Sequence, residues 1–332
     1  MTKPTIKYSI GFYLIEGFWA DKKPDYTKFN SQYWIKPEFW KLMEEEIVCH
    51  RHGDAEIRVY RDGLITYSDT ELSTAAPDSE TFTRIEKYIE ILNAIFVVFV
   101  STFTQATKIK YHTNFEVNHN QLVPIVYKNG VQVGMGMPQK SMTISQIDKR
   151  LLNNVPSGYE DSLDNWIDSP SRAVIPKEVI ESSCKTFFAA AANRQQTRML
   201  ARSNKASAEF ANTSFSDCIL ICWLQIEIYL FNTLKTYMKN EGPLKFNKER
   251  RESMLKSTSS QVIEVLELSG NLTKEVYDLL SKIRRVRNKI VHSNYSSNVN
   301  EAADALTLME LIIEENSGET IKLNTGISVN LF

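Results

Sequence analysis

Thr273-Lys-Glu-Val-Tyr-Asp-Leu-Leu-Ser-Lys-Ile-Arg-Arg-Val-Arg-Asn-Lys-Ile-Val-His-Ser-Asn294 decides how the second half of the chain folds. Thr273 has a side chain suited to cap a helix, and Val276, Leu279, Leu280, Ile283, Ile290 and Val291 follow at helical spacing, so the stretch reads as one amphipathic helix with a single apolar stripe. Arg287 falls inside that stripe, four residues after Ile283 and just before Ile290 and Val291. A cation there faces a bundle interior or a partner, and its burial is costly unless it is paired or functional. Arg285, Asn288 and His292 lie on a second face, where a cation, an amide and a proton-transfer group converge toward the helix end.

The flanks extend the same pattern. Asp217–Lys239 reads as a long apolar helix and Ser260–Leu268 as a shorter one. Asn298-Val-Asn-Glu301 has the form of a capping box, followed by Ala302, Ala305, Leu306, Met309, Ile312 and Ile313 on one face. Four amphipathic helices with short connections argue for a bundle. Glu227 interrupts an apolar run and needs a partner if buried. Residues 319–332 read as two short strands about Asn324-Thr-Gly. Upstream, Lys185–Ala211 reads as an Ala-rich helix on which Arg194, Arg198, Arg202 and Lys205 form a basic stripe, suited to tracking phosphates or to facing solvent.

Ser157–Ser171 is rich in turn formers and acids, which places a linker at 157–171 between a domain over 1–156 and one over 172–332. The first domain has the signs of an α+β fold. Ile6, Tyr8, Ile10, Phe12 and Leu14 alternate as in a strand with one buried face. A helix is expected over Lys36–Val48, and a hairpin joins Glu56–Arg61 to Leu64–Ser68 through a two-residue type I′ turn at Asp62-Gly63. Glu80–Phe103 reads as a long buried helix, Lys108–Val117 as a strand, and Leu122–Tyr127 with Val131–Met137 as a second antiparallel hairpin. Aromatics crowd the first 40 residues; their periodicity suits a core, and stacking on single-stranded RNA is the other use such residues have.

Composition narrows the function. The 332 residues carry 39 Lys+Arg against 40 Asp+Glu, a net charge of −1, so nucleic acid or membrane would have to be met by a local patch. The four cysteines form no CxxC pair, which suggests reduced thiols and a cytoplasmic protein. No export signal is read at the N-terminus. The apolar runs Ala94–Val100 and Ile219–Leu234 suit buried helices better than membrane spans. GxGxxG, GxSxG, Walker, HExxH and paired DxD motifs are absent, and Cys49, His50, His52, His112 and His119 lack the spacing of a closed zinc module, so no metal or cofactor site is read.

From spacing alone, Arg287, Glu227 and His292 make either a small polar pocket for phosphoryl chemistry or a structural Arg–Glu pair beside a solvent-facing His. A resemblance bears on that choice. Arg284-Arg-Val-Arg-Asn-Lys-Ile-Val-His-Ser-Asn, with Asn300-Glu-Ala-Ala-Asp-Ala-Leu after it, resembles the HEPN superfamily (higher eukaryotes and prokaryotes nucleotide-binding domains). The signature of that superfamily is an Arg and a His four to six residues apart, often with a polar residue after the Arg. Arg287, Asn288 and His292 match it, and the likeness covers about Phe215–Glu315.

The resemblance implies an all-α bundle of HEPN type and a metal-independent endoribonuclease of toxin, abortive-infection or other anti-phage systems, acting as a homodimer through the bundle. A substrate 2′-OH would attack the adjacent phosphate, with His292 as general acid/base and Arg287 stabilising the phosphorane. Asn288 would orient the phosphate or His292, and Glu227 would hold Arg287. Arg284, Arg285 and Lys289, with Arg194, Arg198 and Arg202, would bind RNA, either tRNA or single-stranded. Members silenced by nucleotidyl transfer carry a Tyr two residues after the His. That position is Asn294 here, so such control is not expected. By analogy with defence proteins of this arrangement, the first domain is expected to bind a regulatory ligand or protein. The other reading of the chain is a non-catalytic dimerisation or RNA-binding module.

Overall fold

In the computed structural model, which describes residues 6–14, 17–23, 41–42, 44–73, 81–107, 115–118, 121–128, 131–135 and 173–323, the alternating stretch Ile6–Tyr13 is strand β1. Its neighbours β5 (Leu64–Ser68) and β6 (Val123–Lys128) both run antiparallel to it. β4 (Ala55–Tyr60) and β3 (Glu46–His52) extend the sheet beyond β5, and β7 (Val131–Met135) extends it beyond β6. The order is β3-β4-β5-β1-β6-β7, antiparallel throughout. A second, two-stranded sheet pairs β2 (Phe18–Ala20) in parallel with β8 (Ala173–Ile175).

The turn between β4 and β5 departs from the expected type I′. Gly63 alone has a positive φ, +86°, and its N–H donates to the Tyr60 carbonyl at 2.9 Å, so three residues connect the strands in a turn ended by a left-handed glycine. A Cβ at Gly63 would lie 2.6 Å from the Phe18 carbonyl oxygen, which leaves room for glycine only. Arg61 in the same turn is buried; its Nε and Nη2 reach Glu45 Oε2 at 2.7 and 2.6 Å, and its Nη1 donates to the carbonyls of Ala20 and Lys22. The helix expected to run to Val48 gives way by Glu46, where β3 begins; Cys49 through His52 alternate on that strand, and pairing with β4 outweighs the weak helical signal. Residues 36–40 lie outside the described residues.

After a short helix α1 (Thr70–Ser73), the long helix α2 (Thr81–Thr107) is the centre of the first core. Every residue from Ile91 to Ser101 is buried. Phe96 meets Phe12 of β1 with ring centroids 6.2 Å apart, and Phe103 meets Phe18 at 5.1 Å. Asn93 is polar in this setting and is fully used: Oδ1 accepts the Val117 N–H at 2.8 Å while Nδ2 donates to the Val117 carbonyl at 2.8 Å. It serves Val117 as a strand partner would. Residues 115–118 are not a strand, which corrects the expectation for that end of Lys108–Val117; residues 108–114 lie outside the described residues.

Helix α3 (Lys177–Ala190) packs with the first unit. Ser183 Oγ lies 2.5 Å from Thr102 Oγ1 of α2, and the Phe188 ring stacks with both His50 and His52 of β3, at 5.6 and 5.0 Å. The chain accordingly divides into Met1–Ala189 and Ala190–Phe332, so β8 and nearly all of α3 belong to the first unit rather than to the bundle to which the sequence assigned them. The 157–171 linker lies outside the described residues.

The second unit is helical: α4 (Arg194–Ala211), α5 (Phe215–Asn240), α6 (Gly242–Lys245), α7 (Lys248–Met254), α8 (Ser259–Leu268), α9 (Lys274–Ser293) and α10 (Val299–Ser317). Lys185–Ala211 is not one helix, because Asn193 breaks it and caps α4 by accepting the Gln196 N–H. The predicted face of α10 is buried, with Leu308 in addition. It packs on α4, α5 and α9, and α8 packs on α5 and α9. Residues 319–323 form no strand; Ile321 and Leu323 are buried, and the Leu323 N–H donates to Glu310 Oε1 at 2.7 Å. Residues 324–332 lie outside the described residues. By length and composition α5 and the Glu86–Thr107 part of α2 could each cross a bilayer. Ile219, Cys222, Ile226, Leu230 and Leu234 of α5 are buried within the second unit, as Ile91–Ser101 of α2 are within the first.

Two measurements check this account. Asn93→Ala leaves the buried Val117 N–H and C=O unpaired and lowers the stability of the first unit by about 2–4 kcal/mol in urea unfolding. Burial lowers the His50 pKa from 6.5; Lys185 and His52 push the same way and Glu181 opposes. Above the unfolded value His50 is neutral in both states, and as pH falls through 6.5 the unfolded chain binds the proton first. Stability therefore falls below that pH, and His50→Gln flattens the fall when thermal unfolding is followed from pH 7.5 to about 5.

Candidate functional site

The site is built on the second half of α9. Thr273 caps the helix by accepting the Val276 N–H, and Val276, Leu280, Ile283 and Val286 are buried. Their spacing of four, three and three turns the buried face toward Val286 and away from Val291, which is 50% exposed. The stripe therefore does not continue as the sequence suggested: Ile290 is half-buried and Arg287 lies at the margin. Arg287 is half-buried and, among the described residues, makes no ion pair; its Nη1 donates to Asn288 Oδ1 at 3.1 Å. His292 is exposed in the last turn, and Asn294 stops the helix in the left-handed conformation, φ +48°, its N–H bonded to the Lys289 carbonyl.

Three further cations, Arg284, Arg285 and Lys289, flank these groups. Arg285 and Lys289 are exposed, Arg284 and Arg287 half-buried; Arg285 Nε donates to the Ser281 carbonyl at 3.1 Å, and Lys289 Nζ stands 5.5 Å from the centre of the Tyr295 ring. The last turns of one helix thus carry Arg284, Arg285, Arg287, Asn288, Lys289 and His292, with Arg287 and His292 on different faces.

Glu227 is not part of this group. It is half-buried on α5 and accepts a 2.5 Å hydrogen bond from Ser259 Oγ, at the first residue of α8. The N-terminus of a helix is a favourable place for a carboxylate, so Glu227 finds its partner there and not in Arg287. The expectation that Glu227 holds Arg287 is corrected accordingly.

The basic stripe of α4 lies along the bundle. Gln196 Nε2 donates to the Asn316 carbonyl at 2.9 Å, so the Arg194 end of α4 adjoins the end of α10. His292 precedes the start of α10, and a 19-residue helix spans ~28 Å, so Arg194 and His292 lie at opposite ends of it. Arg194 and Arg198 are exposed, while Arg202 and Lys205 are half-buried. The Arg194 end of the stripe is therefore distant from the α9 cluster.

Sequence reasoning did not pair Tyr295 with Glu301. The Tyr295 hydroxyl lies 3.2 Å from both Glu301 carboxylate oxygens, and partial burial, then the Glu301 charge, raise the phenol above its ordinary range. Ser216 Oγ of α5 accepts the Ser297 N–H at 3.2 Å. The capping box at Asn298–Glu301 was the available signal, since its carboxylate has lone pairs beyond those the cap uses. Among the described residues no cluster of three His, Cys, Asp or Glu could hold a metal ion; His112 and His119 lie outside them.

Comparison with known protein families, with curated proteins and with solved structures finds no match for this chain. The helix end itself is open to test. Asn294→Gly leaves thermal stability unchanged or slightly raised, whereas Asn294→Val lowers it by about 1–2 kcal/mol, because a β-branched residue resists the left-handed conformation.

Proposed function

We propose that the chain is a metal-independent endoribonuclease of HEPN type, of a toxin or anti-phage system, and that α9 carries its chemistry. The observation that supports this most is the state of the pair: Arg287 has no carboxylate partner among the described residues, and His292 stands in solvent five residues later on the same helix end. A structural arginine would be expected to be paired. A half-buried Arg and Asn and an exposed His among three further cations suit an anionic polymer.

In this reading Arg284, Arg285 and Lys289 hold phosphates, and Asn288 orients Arg287 through the bond it already makes. The 2′-OH of the substrate attacks the adjacent phosphorus, and Arg287 stabilises the phosphorane. His292 takes the 2′-OH proton or gives one to the departing 5′-oxygen as the P–O5′ bond breaks. The products end in a 2′,3′-cyclic phosphate and a 5′-OH. Glu227 has only a structural part, fastening α5 to α8.

The chain works as a dimer in the cytoplasm, with tRNA or single-stranded RNA as substrate. Leu224 and Ile228 lie one turn apart on α5 and are 52% and 40% exposed, and Val291 is exposed on α9, so both helices leave apolar surface uncovered. The first unit supplies regulation by a ligand or protein. The second reading, a non-catalytic interaction module, draws on the same apolar surface.

Incubation of the full-length protein with tRNA and mixed single-stranded RNA in EDTA decides between them. Cleavage leaves cyclic phosphate ends, and His292→Ala and Arg287→Ala each lower its rate by about 10²–10⁴-fold. Equal inertness of wild type and variants sinks the enzyme reading.

A further inference from the structure

The connection that follows His292 is fastened at several points. Asn294 ends α9 in the left-handed conformation, and the Tyr295 N–H donates to the Lys289 carbonyl at 3.4 Å. The Tyr295 phenol reaches forward to Glu301, in the first turn of α10, while the Lys289 ammonium stands over its ring. Glu301 is shared: its Oε2 also accepts the Asn298 N–H at 3.0 Å as half of the capping box that starts α10. Ser297 is tied to α5, its N–H donating to Ser216 Oγ and its hydroxyl 3.1 Å from the same atom.

A helix end with exposed side chains frays, because its last carbonyls lack partners and few contacts oppose local opening. Val291, His292, Ser293 and Asn294 are all exposed, so packing does little to hold that turn. Polar ties hold it instead, and the Tyr295 ring, anchored by Glu301 at one end and lying under Lys289, is the tie that bridges the last turn of α9 to the first turn of α10.

We propose that Tyr295, held by Glu301, is a positioning residue for His292: it keeps the last turn of α9 formed and so fixes the imidazole relative to Arg287. Tyr295 touches no reacting atom. The kinetic consequence rests on the ribonuclease reading; the structural one does not.

The test uses the full-length protein and two variants. Tyr295→Phe keeps the ring and removes the hydroxyl. Glu301→Gln keeps a residue able to close the capping box and removes the charge. The His292 imidazole signals, assigned among five histidines by their loss in His292→Ala, report position without any activity. Amide hydrogen exchange at residues 289–295 reports fraying.

Tyr295→Phe shifts the His292 signals, speeds exchange at 289–295 and lowers kcat about ten- to a hundredfold with KM unchanged, as misplacement of a catalytic group does. Glu301→Gln does the same to a smaller degree. His292 signals and exchange that match wild type in Tyr295→Phe overturn the proposal, and so does an unchanged kcat where the wild type cleaves. A wild type that cleaves no RNA removes the ribonuclease reading alone, and the imidazole signals and exchange then decide the role of Tyr295.

Discussion

The chain has to reverse direction between Asn294 and Asn298, and the geometry of that reversal sets the second unit. Asn294 supplies the left-handed residue that stops α9, and Asn298 supplies the extended residue and side-chain acceptor that start α10. With both ends fixed, α9 and α10 lie side by side, and Lys282 of α9 pairs with Asp304 of α10. The third participant is the start of α5. Ser214 provides no side-chain cap there, and Ser216 uses its hydroxyl on Ser297 instead. Three helix ends therefore meet beside His292, and hydrogen bonds with definite directions hold them where apolar burial does not.

Directional contacts play the same part inside the first unit. Apolar burial is non-directional, so a helix as uniformly apolar as the middle of α2 could rotate or slide against a sheet at small cost. Asn93 removes that freedom by pairing with both backbone groups of Val117. One turn and a half earlier, the Tyr88 hydroxyl donates to Asp69 Oδ1 at 2.8 Å, and the same oxygen accepts the Leu72 N–H at 2.7 Å. Tyr67 donates to the other oxygen at 3.2 Å, and burial followed by the Asp69 interactions raises both phenols. Register between α2, α1 and β5 is fixed by these bonds, and the phenylalanines fill the space that they define.

What could be read from residues in order, and what could not, divides along the range of the interactions. Thr273 and Asn298 act on backbone groups two or three residues away, so both caps were legible. So was Gly63 as a turn residue, although the number of connecting residues depended on Phe18, distant in sequence, pressing against it. Long-range partners were not legible. Glu227 could be recognised as needing a partner, but nothing in the pattern pointed to Ser259. The helix expected at Lys36–Val48 failed at its end because β4 offered Glu46–His52 a ladder. The place of α3 was missed for the same reason: Phe188 is one apolar residue among many until His50 and His52 are seen to stack on it.

The separation of Glu227 from Arg287 changes what Arg287 can do. A guanidinium locked to a carboxylate in a bundle interior would have to break that pair to meet a phosphate, and the carboxylate left behind would be buried and unpaired. At the margin of the bundle the cost is small. Arg287 keeps part of its hydration, holds Asn288 Oδ1 with one nitrogen, and retains its other donors for a ligand. Lys289, Arg285 and Arg284 repel it across a partly solvated surface, where the effective dielectric is high and the repulsion modest. A phosphate bound there would relieve that repulsion as well as gain its own contacts, so a polyanion would favour the same arrangement of cations that α9 already holds. The position that looked, by spacing, like a buried charge in need of neutralisation is thus one where an unpaired charge costs little.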